Sequence, residues 1–394
     1  MSSNLLLNET CKFKLNPNEE QKTILEELFS VYGSIVRECL NKATKMNITS
    51  RKRLHEAIYR ELRVKYPSYP SHYIYTAIAH VLGMLKSFRR LSRKRKDIKA
   101  PSVENLNTIL LDDTHLFWFN WDNLKLATHK GHIIIPFEPH EHSRKFTSCW
   151  SVKGSRLARR GDKYFLHVTF RKAIAEKEPS GVLGIDINEK SIDLAIIKPD
   201  KVKFTKIDIS EIKYIRDRYF KKRRSIQTKT SGNVETRLLA KYSGRERRRT
   251  DDVLHRASKI IAKIVSEENL KPVMEELNHM RERINYGRRM NRRLHAMPFR
   301  RIQFFISYKA MEQGFKPKLV KAKNTSRTCP ICGELNKPNG HVFKCKKCGF
   351  QADRHLVAAW NIAVKLPMCR PLPLAAKALE EALKAEGERI VIKC

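Results

Sequence analysis

The chain has no run of eighteen apolar residues in its 394, and so nothing that reads as a membrane-spanning helix. Its first residues, MSSNLLLNETCKF, lack the apolar core of a secretory signal. There is no internal repeat and no low-complexity tract. Acidic residues are scarce, with 41 Asp and Glu against 80 Lys and Arg, a formal charge of +39. A heat-adapted surface raises Glu together with Lys and keeps the net charge small, so this imbalance instead points to a polyanionic partner, nucleic acid. A disulfide framework is also missing. Nine cysteines is an odd number, and Cys11, Cys39, Cys149, Cys369 and Cys394 are scattered, which fits reduced thiols.

What is present begins with alternation. Cys11, Phe13 and Leu15 face one side of a strand that ends at Asn16-Pro17. A helix follows, with Ile24, Leu25, Leu28, Tyr32, Ile35, Val36 and Cys39 at helical spacing. A second helix is expected from about His72 to Arg95. Its end carries Lys86, Arg89, Arg90, Arg93, Lys94, Arg95 and Lys96, charges that repel one another unless phosphates lie between them. Short β-rich runs then appear at Thr108–Leu111, Leu116–Trp121, His132–Ile135 and Tyr164–Phe170, predicting a small β-barrel into which the helices are inserted. Ala173–Ser180 reads as a linker. Beyond it, Val182–Ile187, Ile192–Ile197 and Val202–Ile207 form an expected antiparallel meander. After that come an amphipathic helix through Val253–Val265, a strand Pro272–Leu277, a helix ending near Gly314 and a strand Pro317–Val320. That order is the one of an RNase H-like α/β sheet.

Two patterns carry chemistry. Cys329-Pro-Ile-Cys332 and Cys345-Lys-Lys-Cys348, twelve residues apart, offer four thiolates from two tight turns, a tetrahedral sulfur set that suits a structural Zn²⁺. Gly333 and Gly349 directly after each second cysteine relieve the turns. The other pattern is acidic. Asp186 lies within the apolar strand Leu183-Gly-Ile-Asp-Ile187, Glu275 stands at the end of Pro272–Leu277, and Asp353 precedes an expected helix Arg354–Val364. A lone buried carboxylate is costly, so Asp186 reaches a rim, pairs or binds a cation. Three such oxygens together suit Mg²⁺, and two ions about 3.5–4 Å apart hydrolyse phosphodiesters. Asp353 also reads as a plain helix N-cap, and Glu275 or Glu276 as a surface acid.

These residues resemble the TnpB (OrfB) family of insertion-sequence proteins, relatives of the type V CRISPR nucleases. Leu183–Asn188 is similar to the family's first RuvC motif, with Asn188 where Gly is commoner. Met274–Asn278 is similar to its Glu-Asp-Leu motif and points to Glu275. Tyr308-Lys-Ala310, Gly314 and Thr325–Gly333 follow its run into a zinc ribbon, and Leu15–Gln21 its start. The resemblance implies a β-barrel wedge domain carrying a helical insertion, then a RuvC-like nuclease domain with an inserted zinc ribbon. The implied boundaries are 1–45 for the wedge start and first helix, 46–105 for a basic recognition lobe and 106–179 for the wedge remainder. The nuclease domain takes 180–322, the ribbon 323–350 and the closing part 351–394.

The implied activity is that of a transposable element's guide-RNA-directed DNA endonuclease with Mg²⁺ ligands Asp186, Glu275 and Asp353. Its implied location is the prokaryotic cytoplasm, at the nucleoid. Lys86–Lys99, Lys221–Arg224, Arg245–Arg249 and Arg281–Arg301, including Arg288, Arg289, Arg292 and Arg293, are the expected contacts to guide RNA and DNA. One departure stands out. The family's closing motif is often Asp-x-Asp-x-Asn-Ala-Ala; here it reads Asp353-Arg-His355-Leu-Val357-Ala-Ala359. If the second acid is the ligand, the centre is incomplete, and Asp353 is the residue that can serve instead. A nuclease-dead RNA-guided repressor and a zinc-ribbon DNA-binding protein acting in transposition are the alternatives.

Overall fold

The computed structural model describes residues 4–93, 95, 97–112, 114–277, 285–366 and 388–391. The chain divides into two compact units, Asn8–Lys172 and the residues from Ala173 onward together with the first seven. Among the described residues, no helix is long and apolar enough to cross a membrane.

In the Asn8–Lys172 unit, strand β1 (Asn4–Lys14) buries Cys11 and Phe13 by strict alternation. Helix α1 (Glu19–Lys45) starts at Asn18, whose side chain accepts from the Gln21 N–H while Gln21 reaches back to the Asn18 N–H, satisfying two helix-end donors. A helix not anticipated from the sequence, α2 (Arg51–Lys65), buries Leu54, Ile58 and Leu62 at one-turn spacing. The basic helix α3 spans His72–Ser92. The β-rich region comprises β2 (Thr108–Leu111), β3 (Phe117–Phe119), β4 (Asn123–Thr128), β5 (Gly131–Pro136), β6 (Ser151–Arg160) and β7 (Lys163–Ala175). They form a four-stranded sheet in the order β1-β7-β6-β2 and a three-stranded meander β3-β4-β5. Phe13, Ile109, Leu157 and Val168 from the first, Phe117, Leu124 and Ile135 from the second, and the buried faces of all three helices share one core.

The second unit is built on a six-stranded sheet. Strands β8 (Gly181–Ile187), β9 (Ser191–Ile197) and β10 (Val202–Asp208) make the expected antiparallel meander. Helices α4 (Glu211–Lys229) and α5 (Gly232–Glu267) follow, and β11 (Leu270–Glu275) pairs with β8 in parallel. After α6 (Arg288–Ala296) and α7 (Phe299–Glu312), β12 (Lys318–Val320) adds to β11. A hairpin, β13 (Val342–Lys344) and β14 (Gln351–Asp353), runs into α8 (Arg354–Val364), and β15 (Glu388–Val391) closes the order β12-β11-β8-β9-β10-β15. One apolar cluster lies between the sheet and α5 and α7 (Leu183, Ile185, Leu254, Ile261, Ile302 and Ile306 among its members), and another between the sheet and α8.

How α8 reaches the sheet depends on one glycine. A Cβ on Gly184 would collide with the Ala359 carbonyl oxygen and crowd the Ala363 methyl, so the absent side chain lets α8 lie flat on β8. Gly184→Ala is expected to cost about 1–3 kcal/mol through this overpacking, read as a shift in denaturant midpoint at unchanged slope. An unchanged midpoint would mean the helix has room to lift.

Candidate functional site

Strand register sets a row of charged side chains across the second unit's sheet. Asp186 on β8 pairs with Asp193 on β9, Asp193 with Lys206 on β10, and Lys206 with Arg389 on β15. On the other side, Met274 of β11 pairs with Ile185, so Glu275 follows beside Asp186. In-register neighbours point to the same face. The row therefore reads Glu275, Asp186, Asp193, Lys206, Arg389: three acids, then two bases. It opens into a cleft of about 860 Å³ lined by Asp186 and Glu275 and by the bases Lys190, Lys206, Lys213, Arg354 and Arg389.

The first turn of α8 crosses this row, and it separates the two residues that the sequence leaves in competition. The Asp353 carboxylate caps its own helix, accepting from the His355 N–H at 2.8 Å, and receives Lys206 Nζ at 2.9 Å. Burial works to raise its pKa, but the His355 N–H and Lys206 outweigh it and hold the carboxyl below its ordinary range. His355, two residues on, places Nδ1 3.3 Å from Asp186 Oδ2. The helix thus presents an imidazole to Asp186 and turns Asp353 toward Lys206. Asp186, Asp193 and His355 have ligand atoms within 4.8 Å of one another; Asp353 and Glu275 are not in that group.

Sequence reasoning missed Asp193 altogether. It is fully buried and lies in the apolar run Ile192–Ile197, the same cue that singled out Asp186. Its Oδ2 accepts from Ser191 Oγ at 2.6 Å and Asn188 Nδ2 at 3.1 Å, and Asn188 also donates to Asp186 at 2.6 Å. Burial pushes the Asp193 carboxyl up, against the pull of Ser191 and Lys206.

Glu275 is raised to about 7, chiefly by burial and further by the charge of Asp186, while a hydrogen bond from Thr325 Oγ1 pulls the other way. The sign follows from linkage. A carboxyl that holds its proton more tightly when folded loses stability as pH climbs from about 4.5 to about 7, and the full penalty persists above that. Glu275→Gln removes the penalty. The variant is expected to be more stable than the parent at pH 8 by about 1–3 kcal/mol and indistinguishable at pH 4.5, in thermal melts without divalent ions. Equal melts at both pH values would contradict this reading of the cleft.

The four cysteines converge in two matching knuckles. Gly333 N–H bonds the Cys329 carbonyl and Gly349 N–H that of Cys345, and both glycines take φ +75°, a left-handed turn that side chains resist. Sγ atoms stand 3.6 Å apart for Cys329 and Cys348 and 3.5 Å for Cys332 and Cys345. Sulfurs about 2.3 Å from a central ion define a tetrahedron with edges of roughly 3.8 Å, so the spacing is compatible with a zinc ribbon. The backbone N–H of Cys348 draws the Cys345 thiol down to about 6. Asn361 on α8 ties this module to the sheet, donating to the carbonyls of Thr325 and Thr328.

The expected nucleic-acid contacts are distributed over both units. On and just past α3, Lys86, Arg90, Arg93 and Arg95 are exposed and Arg89 is half-buried; Lys94 lies outside the described residues. On α6, Arg288 and Arg292 are exposed, with Arg292 stacked over Phe220, while Arg293 pairs with Glu189. The side chain of Arg289 lies outside the described residues, as do residues 281–284 of that run and Asn278.

Comparison with known proteins agrees with the motifs. The family described as Cas12f1-like, TNB domain matches residues 299–362, and the uncharacterized protein MJ0013 family matches residues 28–127. A TnpB-like protein of Methanocaldococcus jannaschii is 35% identical over 262 residues, 64% of this chain and 93% of its own length. A TnpB-like protein of Aquifex aeolicus is 29% identical over 53% of this chain and 76% of its own length. The CRISPR-associated endodeoxyribonuclease Cas12f1 of Sulfoacidibacillus thermotolerans is 32% identical over 118 residues, 29% of this chain and 26% of its own. Among solved structures, a Cas12f1–sgRNA–target DNA complex is similar over 91% of this chain and all of its own, with 19% identity and a TM-score of 0.39. With its four-cysteine knuckles, its acid row and a relative matched over nearly its whole length, the chain belongs to the TnpB-like family, in the wider company of the Cas12f nucleases.

Proposed function

We propose that the chain is a guide-RNA-directed DNA-targeting protein of a transposable element and that its cleft is a RuvC-like, metal-dependent endonuclease centre. The observation that carries this is that Asp186 and Glu275 each follow the last paired residues, Ile185 and Met274, of adjacent parallel strands and line one base-rimmed cleft. A divalent cation bound there supplies charge neutralisation at a phosphate and a water acidic enough to attack it, with two ions in the fullest form of the mechanism. The chain's own residues do the rest. Lys190, Lys213 and Arg354 at the rim attract the phosphate backbone into the cleft. Glu275, raised to about 7 chiefly by burial, would give up its proton near neutral pH and so be able to hold a cation. Asn188 holds Asp186 and Asp193 in one orientation. The carboxylates suit a hard ion such as Mg²⁺, but the head of α8 offers an imidazole, which does not.

The Asn8–Lys172 unit is read as the wedge with its inserted basic recognition helices, which hold the guide and its heteroduplex. The segments 180–322 and 351–394 are read as the nuclease domain, around a zinc ribbon at 323–350 that binds one Zn²⁺ through Cys329, Cys332, Cys345 and Cys348. Base pairing would read the target, while the protein reads a short flanking motif. The basic side chains Lys86, Arg89, Arg90, Arg93, Arg95, Arg288 and Arg292 supply the salt-dependent part of binding.

The test is recovery of a discrete RNA with the purified protein, released steeply as salt rises. Protein free of RNA after expression with its native flanking sequence would overturn the reading. A second reading, an RNA-guided binder that does not cut, is favoured by one feature: protein donors already occupy the acids, His355 and Asn188 on Asp186 and Lys206 on Asp193.

A further inference from the structure

A third acid lies buried behind the cleft's pair Asp186 and Glu275. Asp193 was absent from the sequence-based ligand set, yet it is fully buried and in register with Asp186. Its Oδ1 has no hydrogen-bond partner. The closest cation, Lys206 Nζ at 3.4 Å, is held more tightly by Asp353 at 2.9 Å. A buried carboxylate oxygen that makes no hydrogen bond and shares one ammonium with Asp353 is incompletely satisfied, and a bound cation is an ordinary way to complete it.

The other side of the same space is closed by His355, whose Nδ1 faces Asp186 at 3.3 Å and whose Nε2 lies 3.4 Å from Arg354 Nε. Asp186, Asp193 and His355 bring two carboxylates and one imidazole within 4.8 Å. Asn188 bridges the two carboxylates and Ser191 bonds Asp193, which is how ligating oxygens are oriented by the groups behind them.

We infer that this centre is built on Asp186, Asp193 and His355, one strand over from the expected triad, and that it selects a first-row transition ion such as Mn²⁺ over Mg²⁺. The inference rests on the endonuclease reading of the cleft and leaves Glu275 beside Asp186 there; it differs in taking Asp193 and His355 in place of Asp353, and in the ion. Mg²⁺ requires a near-octahedral oxygen shell and sheds water reluctantly, so an imidazole in place of a carboxylate weakens its hold. Transition ions accept imidazole readily and are limited mainly by geometry. Binding through Nδ1 would put the His355 proton on Nε2 and displace the 3.4 Å contact from Arg354, a half-buried side chain that lines the cleft. The cost of that rearrangement falls on every cation; only an ion that bonds nitrogen well recovers it.

The test is pulsed electron paramagnetic resonance on the full-length, zinc-replete protein with added Mn²⁺, using histidine labelled with ¹⁵N. Wild type is expected to show coupling between Mn²⁺ and a histidine nitrogen. The coupling is lost in His355→Ala and in Asp193→Asn, and retained in Asp353→Asn. Excess Mg²⁺ should leave the wild-type signal in place and displace Mn²⁺ from His355→Asp. Absence of histidine coupling in wild type, its survival in Asp193→Asn, or equal displacement by Mg²⁺ in wild type would each overturn the inference. Because the spectra need no target DNA, failure of RNA-guided targeting would show separately, as loss of guide-matched DNA binding with the nitrogen coupling intact.

Discussion

Cys345→Ser is expected to release the zinc and to leave residues 324–353 open to protease at concentrations that spare the wild type. The segment's own apolar core is small, although it joins the cluster between the sheet and α8. Its core is Phe343 and Phe350 against the two buried cysteines, and its strands are three residues each. A structural zinc site contributes an apparent 10–16 kcal/mol or so near neutral pH, far beyond what two phenylalanines supply. The damage should travel. Asn361 donates to the carbonyls of Thr325 and Thr328, Thr325 in turn bonds Glu275, and α8 begins one residue beyond β14. Elemental analysis and limited proteolysis check this together. Zinc below one per chain in the wild type, or an unchanged digestion pattern in the variant, would contradict it.

The second large effect concerns the acids. Asp186→Ala is expected to lower cleavage of guide-matched DNA by roughly 10³-fold or more, about 4 kcal/mol of barrier. Glu275→Ala should behave alike. Asp353→Ala should not. Its carboxylate is tied to Lys206 and to the His355 N–H in the first turn of α8, so its loss costs a helix cap, about 1 kcal/mol of stability, rather than the reaction. Measuring all three with Mg²⁺ and with Mn²⁺ separates the roles. A dead Asp353→Ala that melts like wild type would return that residue to the metal site. A wild type that binds matched DNA and cuts with neither ion would favour the binder that does not cut.

Much of the second unit was legible because its strands are apolar and bounded by turns. The three strands of the meander and α8 fall where period and turn residues put them, and β11 lies two residues earlier than the expected Pro272–Leu277. The glycines after the knuckles take the left-handed turns that their positions suggested. What stayed hidden has physical reasons. β6 reads Ser151–Arg160, almost all polar and basic, with a register shift between Val152 and Gly154 and Leu157 as its one buried side chain, so no alternation survives. α2 buries three residues among ten or so polar ones, too narrow a stripe to stand out.

Asp193 carried the same cue as Asp186, an acid within an apolar run, and was passed over; what the sequence could not show is the register that sets the two acids side by side. The choice between Asp353 and His355 could not be made from spacing either. Two residues apart at a helix start, they point in different directions, and only the position of Lys206 on a strand nearly 150 residues earlier separates them.

The measurement closest to the central claim is the affinity for duplex DNA, with the protein carrying its copurified RNA. One duplex matches the RNA's variable end and another scrambles that match, both at one physiological salt concentration. The account predicts binding to the matched duplex at least about 100-fold tighter, since base pairing rather than protein contact supplies sequence recognition. Equal affinity for the two duplexes would contradict it.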